Sequence, residues 1–227
     1  MDVRFHHPFT ALLSGPTTSG KSFFISKFLK FRDTLVDVEF EKIVVYYTEF
    51  QENYKTMGPG YIEFCKGLPE DDDDDDTDYA GGARLFVLDD LMIEGSSSQI
   101  VSNLFTRGSH HRNLSVIFIT QNLFHQGKVS RAISLNSSYI ILMKNPRDKA
   151  QIMYLARQIY PENPKFFQDA YADATKEAYG YLLIDLKQNT PETCRLRTNI
   201  FPDNGFPFAY LPSSSSSSSS SSTKRRN

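Results

Sequence analysis

The chain has 227 residues, of which 40% are hydrophobic and 23% charged, and a formal net charge of -2. This is the profile of one globular domain large enough to bury a core without disulfide or metal staples. Cys65 and Cys194 lie 129 positions apart, which excludes a disulfide framework and a zinc finger. No apolar run approaches the roughly 18 residues of a membrane span, and the start MDVRFHHPF lacks signal-peptide architecture. An intracellular protein, neither secreted nor embedded, is expected.

Phe9 to Leu13 reads as a first buried strand. It runs directly into Gly15-Pro16-Thr17-Thr18-Ser19-Gly20-Lys21-Ser22 and a helix from Lys21 to about Leu35. This is a complete GxxxxGK[ST] in the strand, loop and helix context the motif requires. Backbone N–H groups of such a loop and of the helix N-terminus form an anion nest. Lys21 suits the β and γ phosphates and the Ser22 hydroxyl suits Mg2+, so ATP and Mg2+ are the expected cofactors.

A second strand spans Lys42 to Tyr47. Residues 69 to 83 hold eight of the 27 acidic side chains, in the run EDDDDDDTD, together with Gly81 and Gly82. Adjacent like charges disfavour helix and strand, so an exposed acidic loop is expected here. Without that run the chain carries +6.

Leu85 to Asp89 is a third apolar strand, ending in Asp89 and Asp90 as a Walker B segment does. Asp89 is placed to hold Mg2+ through a water, and Asp90 to polarise an attacking water as general base. A helix from Ser98 to about Phe105 leads into a polar, basic loop, Thr106 to Asn113. A guanidinium from this loop, Arg107 or Arg112, can reach the γ-phosphate held by a neighbouring subunit. The alternative for each is a solvated or phosphate-backbone contact. His110, His111 and His125 have no carboxylate or Cys spaced to complete a metal site and read as surface residues.

Ser115 to Thr120 forms a fourth strand tipped by Gln121, which fits the sensor of the γ-phosphate in ATPases with an additional strand between the phosphate-loop and Walker B strands. A helix from Val129 to Leu135 and a fifth strand from Ser138 to Met143 follow. Asn145-Pro146-Arg147-Asp148 lacks the Lys of a guanine-reading NKxD, so guanine has no support. Helices at Arg147 to Tyr160 and Pro164 to about Lys176, a strand at Tyr179 to Leu186 and an edge strand within 194–201 complete the reading. Ten serines, Ser213 to Ser222, followed by TKRRN cannot supply a core, so a domain over 1–211 and a disordered basic tail over 212–227 are expected.

The alternation implies an α/β fold with a mostly parallel sheet flanked by helices, and the GxxxxGK[ST] loop makes the expected class a P-loop NTPase of the additional-strand type. Its strands, counted in chain order from Phe9, are expected in the order 5-1-4-3-2 plus edge strands. Between Gln99 and Arg157 the local charge is +7, which suits a polyanionic partner.

With GPTTSGKS, LFVLDDL and TRGSHHRNLSVIFITQ in this order and spacing, the chain resembles the FtsK/HerA-type genome-packaging ATPases, in the branch of double-jelly-roll DNA viruses and Maverick/Polinton-type elements. The resemblance runs from about Pro8 to Leu186. It implies a homo-oligomeric ring, hexameric in the family, that threads double-stranded DNA into a preformed capsid at the cost of ATP, at a virus assembly site or in the nucleus. Carried over, Lys21 and Ser22 bind phosphate and metal, Asp89 metal, Asp90 water, and Gln121 is the sensor. FtsK and HerA relatives usually have Glu where this chain has Asp90. Two other readings share the phosphate loop: a P-loop kinase of a small metabolite, and a nucleotide-gated module that binds DNA or capsid protein without turnover.

Overall fold

The computed structural model describes residues 2–50, 52, 54, 60, 62–69, 81–89, 91, 96–108, 113–123 and 128–212, with the backbone alone at 96–99, 107–108 and 128–130. The acidic run, Asp90, Arg112, the three loop histidines at 110, 111 and 125, the side chain of Arg107 and the serine tail lie outside the described residues.

The described residues form nine strands: β1 (Thr10–Ser14), β2 (Phe40–Tyr47), β3 (Ile62–Lys66), β4 (Ala83–Asp89), β5 (Leu114–Thr120), β6 (Tyr139–Met143), β7 (Tyr181–Asp185), β8 (Leu196–Thr198) and β9 (Phe208–Ala209). They form a single sheet in the order β3-β2-β4-β5-β1-β6-β7-β8-β9. Its core, β6-β1-β5-β4-β2, is the order the sequence predicts. The pairs from β3 to β6 are parallel, and β7, β8 and β9 are added antiparallel. β1, β6 and β7 are buried at every residue, as strands covered on both faces must be.

The helices are α1 (Lys21–Lys30), α2 (Arg32–Leu35), α3 (Ser96–Asn103), α4 (Lys128–Leu135), α5 (Lys149–Ile159) and α6 (Pro164–Ala174), with a π-turn over Leu104–Gly108. Because side chains alternate along a strand, β1 sends Ala11 and Leu13 to one face and Leu12 to the other. On the first face they join Phe24, Ile25, Phe28 and Leu29 of α1. On the second, Leu12 joins a cluster with Val101, Phe105, Ile133, Leu155 and Phe167. The α1 stripe at i, i+1, i+4 and i+5 is what pins this helix, and hence the loop before it, to the sheet.

The observed elements depart from the expected bounds in several places. The helix expected from Lys21 to Leu35 is interrupted at Phe31, which leaves helical geometry at φ -105 and ψ 13 and packs 6.5 Å from the Phe201 ring. At the two ends of the expected acidic loop, Pro69 is buried and Ala83 pairs in β4, and the acidic run itself lies outside the described residues. Strand β3 is unpredicted: only Ile62 is fully buried in it, while Glu63 and Lys66 are exposed, so its apolar pattern is that of a half-covered edge.

Candidate functional site

The C-terminal ends of the parallel strands share one rim of the sheet, where open α/β sheets bind ligands. Gly15 to Ser22 leaves β1 at this rim and turns into α1. The turn uses two left-handed residues, Thr18 at φ 63 and Gly20 at φ 99. Gly15 has no room for a side chain, because a Cβ there would lie 2.6 Å from Met143 Cβ and 2.7 Å from Ser19 Oγ. The Gly15 N–H donates to the Thr120 carbonyl at 3.2 Å, tying the loop to the tip of β5.

The start of α1 is electrostatically one-sided. Gly20 provides no side-chain cap, the first turn holds no acidic residue, and Lys27 and Lys30 occupy the last turn. The positive end of the helix dipole therefore faces the loop uncompensated, which favours an anion there. The Lys21 ammonium lies folded over the same loop, donating to the Gly15 carbonyl at 2.6 Å and the Pro16 carbonyl at 3.0 Å. Ser19 Oγ is buried with no hydrogen-bond partner among the described residues, the condition expected of a polar atom that a ligand completes. These features fit the phosphates of a nucleotide.

Gln121 stands where the sequence places it, immediately beyond β5, and β5 lies between β1 and β4. Thr17 Oγ1 donates to Gln121 Oε1 at 3.3 Å, so the expected sensor touches the phosphate loop directly. Asp89 closes β4, one strand further along, in register with Ile119, which is itself opposite Leu13. It is buried, at 7% exposure, and its Oδ2 accepts a hydrogen bond of 2.5 Å from the Tyr54 phenol. Tyr54 is 2% exposed and is wedged among Tyr47, Phe50 and Phe64. The sequence reading missed it, because nothing local marks a tyrosine in the β2–β3 connection as a partner of β4. Ser22 and Asp89 are the residues that could hold Mg2+. Among the described residues no cluster of three or more His, Cys, Asp or Glu forms a metal site without a nucleotide.

Arg107 lies in the π-turn after α3. The basic loop ends at Asn113, which precedes β5 at the rim opposite the phosphate loop. There Asn113 Oδ1 meets His7 Nε2 at 2.7 Å, and the Asn113 carbonyl accepts from the Arg84 N–H at the head of β4 at 3.0 Å.

A second group of residues was also missed. An open cleft of about 770 Å³ borders Thr17 and Thr18 and runs along the rim from Gln121 and Asn122, past Lys144 to Asp148, to Ala178 and Tyr179. The β6–α5 turn in its floor is clamped. Tyr171 Oη donates to the Met143 carbonyl at 3.0 Å and accepts from the Asn145 N–H at 3.0 Å. Burial pushes the Tyr171 phenol above its ordinary pKa, which keeps the donor protonated. Gln151 Nε2 bridges Asn122 Oδ1 at 2.6 Å and Asp148 Oδ2 at 2.7 Å, joining the β5 tip to the start of α5. Tyr179, expected to begin a strand, instead sits in a turn at φ 62, and β7 begins only at Tyr181. The following Gly180 is required there, since a Cβ would fall 2.5 Å from the Ala174 carbonyl.

No protein-family model and no curated protein matches the chain. Among solved structures it is similar to the genome packaging NTPase B204 from Sulfolobus turreted icosahedral virus 2 in complex with ATP-γ-S. The identity is 13% and the TM-score 0.50, over 87% of this chain and 97% of that one. It also aligns with ATPases 2 and 3 of Thermomonospora curvata EccC in complex with a signal sequence peptide, at 11% identity and TM-score 0.43, over 61% of this chain and 30% of that one. A third alignment is with the ATPase DotB of Legionella pneumophila, at 12% identity and TM-score 0.37, over 76% and 53%. The fold is that of a P-loop NTPase: a mostly parallel sheet flanked by helices, with an additional strand between the phosphate-loop strand and the strand ending in Asp89. Among the described residues no helix is long and apolar enough to cross a membrane.

Proposed function

We propose that the chain is an ATP-hydrolysing motor that moves double-stranded DNA into a viral capsid, working as a homo-oligomeric ring. The observation that carries the reading is the contact between Thr17 of the phosphate loop and Gln121 at the tip of the inserted strand. It couples the nucleotide cradle to a residue able to distinguish ATP from ADP, and a motor needs that distinction while a simple nucleotide-binding turn does not. The match over nearly the whole length of a viral genome packaging NTPase adds support.

In this reading the N–H groups of Gly15 to Ser22 cradle the phosphates and Lys21 exchanges its loop carbonyls for the β and γ oxygens. Ser22 and Asp89 would hold Mg2+, which would neutralise charge on the transferred phosphoryl group. Asp90 takes the proton of the attacking water. Gln121 orients that water and reads the γ-phosphate. Arg107 or Arg112 completes the site of the next subunit, a reading supported by Asn113, which precedes β5 at the rim opposite the phosphate loop. The basic half of the chain meets DNA.

The test is ATP hydrolysis with and without double-stranded DNA, for the wild type and for Lys21→Ala. Stimulation by DNA in the wild type and activity below a tenth of it in the variant are expected. DNA-independent turnover that requires a small-molecule acceptor would mark a kinase. Nucleotide binding with negligible turnover would mark an interaction module.

A further inference from the structure

The cleft beside the phosphate loop ends in an aromatic ring, that of Tyr179, which leans on Gly20 of the loop and leaves most of its surface open. Tyr179 is 62% exposed, one of the most exposed large apolar residues described. Its backbone is held at φ 62, a conformation that non-glycine residues adopt at a cost. The turn around it is fastened on both sides. The Lys144 N–H donates to the Gly180 carbonyl at 3.0 Å, and Lys144 Nζ donates to the Lys176 carbonyl at 2.7 Å. The ring is aimed at the phosphate loop: a Cβ on Gly20 would lie 2.9 Å from Tyr179 Cδ1. A strained, firmly anchored and exposed ring at the edge of a ligand cleft is the arrangement of a preorganised contact surface.

The sheet order fixes what the ring can contact. Along the rim stand the end of β5 with Gln121, the end of β1 with the phosphate loop, the end of β6, and the start of β7 beside Tyr179. Gln121 and Tyr179 thus stand on opposite sides of the phosphate loop, Gln121 against Thr17 and the Tyr179 ring against Gly20, an arrangement that suits a nucleoside triphosphate lying along the loop. With the γ-phosphate at Gln121, the opposite end of the molecule reaches the Tyr179 turn, and that end is the base.

Resting on the phosphate-loop reading, we infer that Tyr179 is the stacking platform for the nucleobase. The site then takes purine nucleoside triphosphates in preference to pyrimidine ones, because the larger ring system covers more of the phenol face. The specificity is one of stacked area, since the Asn145 to Asp148 turn lacks the lysine of a guanine-reading set.

The chain contains no tryptophan, so Tyr179→Trp creates a single fluorescent reporter on the platform. Its emission should be quenched by ATP and left unchanged by inorganic tripolyphosphate, which fills the phosphate loop without a base. Tyr179→Ala should weaken ATP binding about ten- to hundredfold while leaving tripolyphosphate binding as in the wild type, and Tyr179→Phe should bind both normally. If the wild type binds both ligands and Tyr179→Ala weakens them equally, or weakens neither, the platform assignment is wrong and the phosphate-loop reading survives. If the wild type binds neither ligand, the phosphate-loop reading itself falls, and this inference with it.

Discussion

Tyr54 and Asp89 are 35 positions apart, and the hydrogen bond between them is buried. A phenol donating to a carboxylate in so dry a place fixes the acid's orientation, and hydrogen bonds to charged groups contribute about 1.5–3 kcal/mol. Tyr54→Phe keeps the ring that stacks on Phe64 at 5.4 Å and removes only the donor. It should lower the urea midpoint by the equivalent of about 1.5–3 kcal/mol with an unchanged slope. An unchanged midpoint would show that the phenol does not hold Asp89 in solution. Single residues also mark the limit of what the sequence discloses. Gly15 to Ser22 and Gln121 are legible because their chemistry is tied to local spacing and to the strands that carry them. Tyr54 and Tyr179 are not, because each acquires its neighbour only when distant elements meet at the rim.

At the scale of elements, the parallel core was legible from its short, wholly apolar runs, and β3 was not, since an edge strand alternates weakly. The antiparallel extension depends on a charged pair that hydropathy cannot flag. Arg197 in β8 donates to Asp185 in β7 at 2.8 Å, with side-chain exposures of 2% and 5%. Arg197 also donates to the Val3 carbonyl, so one guanidinium joins β8, β7 and the N-terminal segment. Asp185 Oδ1 accepts from Thr190 Oγ1 at 2.9 Å as well. Removing one member leaves the other charge buried and uncompensated. Arg197→Met should therefore cost about 3–5 kcal/mol in chemical denaturation, whereas the double variant Asp185→Leu with Arg197→Met should recover much of that loss. Additive losses would show that the two charges are not coupled.

At the scale of the whole molecule, the two apolar clusters are separated by the sheet, and α1 is the helix that binds the phosphate loop to one of them. The strand at the centre of this arrangement is the first in the chain, and its partners come late: Thr10 pairs with Val116 and Ala11 with Tyr139. Such long-range pairing must bear the loop-closure entropy before any contact rewards it. During synthesis β1 therefore leaves the ribosome with neither neighbour available and waits, with Ala11, Leu12 and Leu13 uncovered, until β5 and then β6 emerge. The phosphate loop should therefore take its shape only once both neighbours of β1 have been made. Nascent chains arrested with β6 still in the exit tunnel should be cut readily by protease between β1 and α1, and those arrested beyond β8 should resist. Equal resistance at both stages would mean that α1 and β1 dock without their sheet neighbours. Until then the exposed β1 is open to chaperones, so the gap between making the first strand and closing the sheet is the stage at which this chain is most exposed to aggregation.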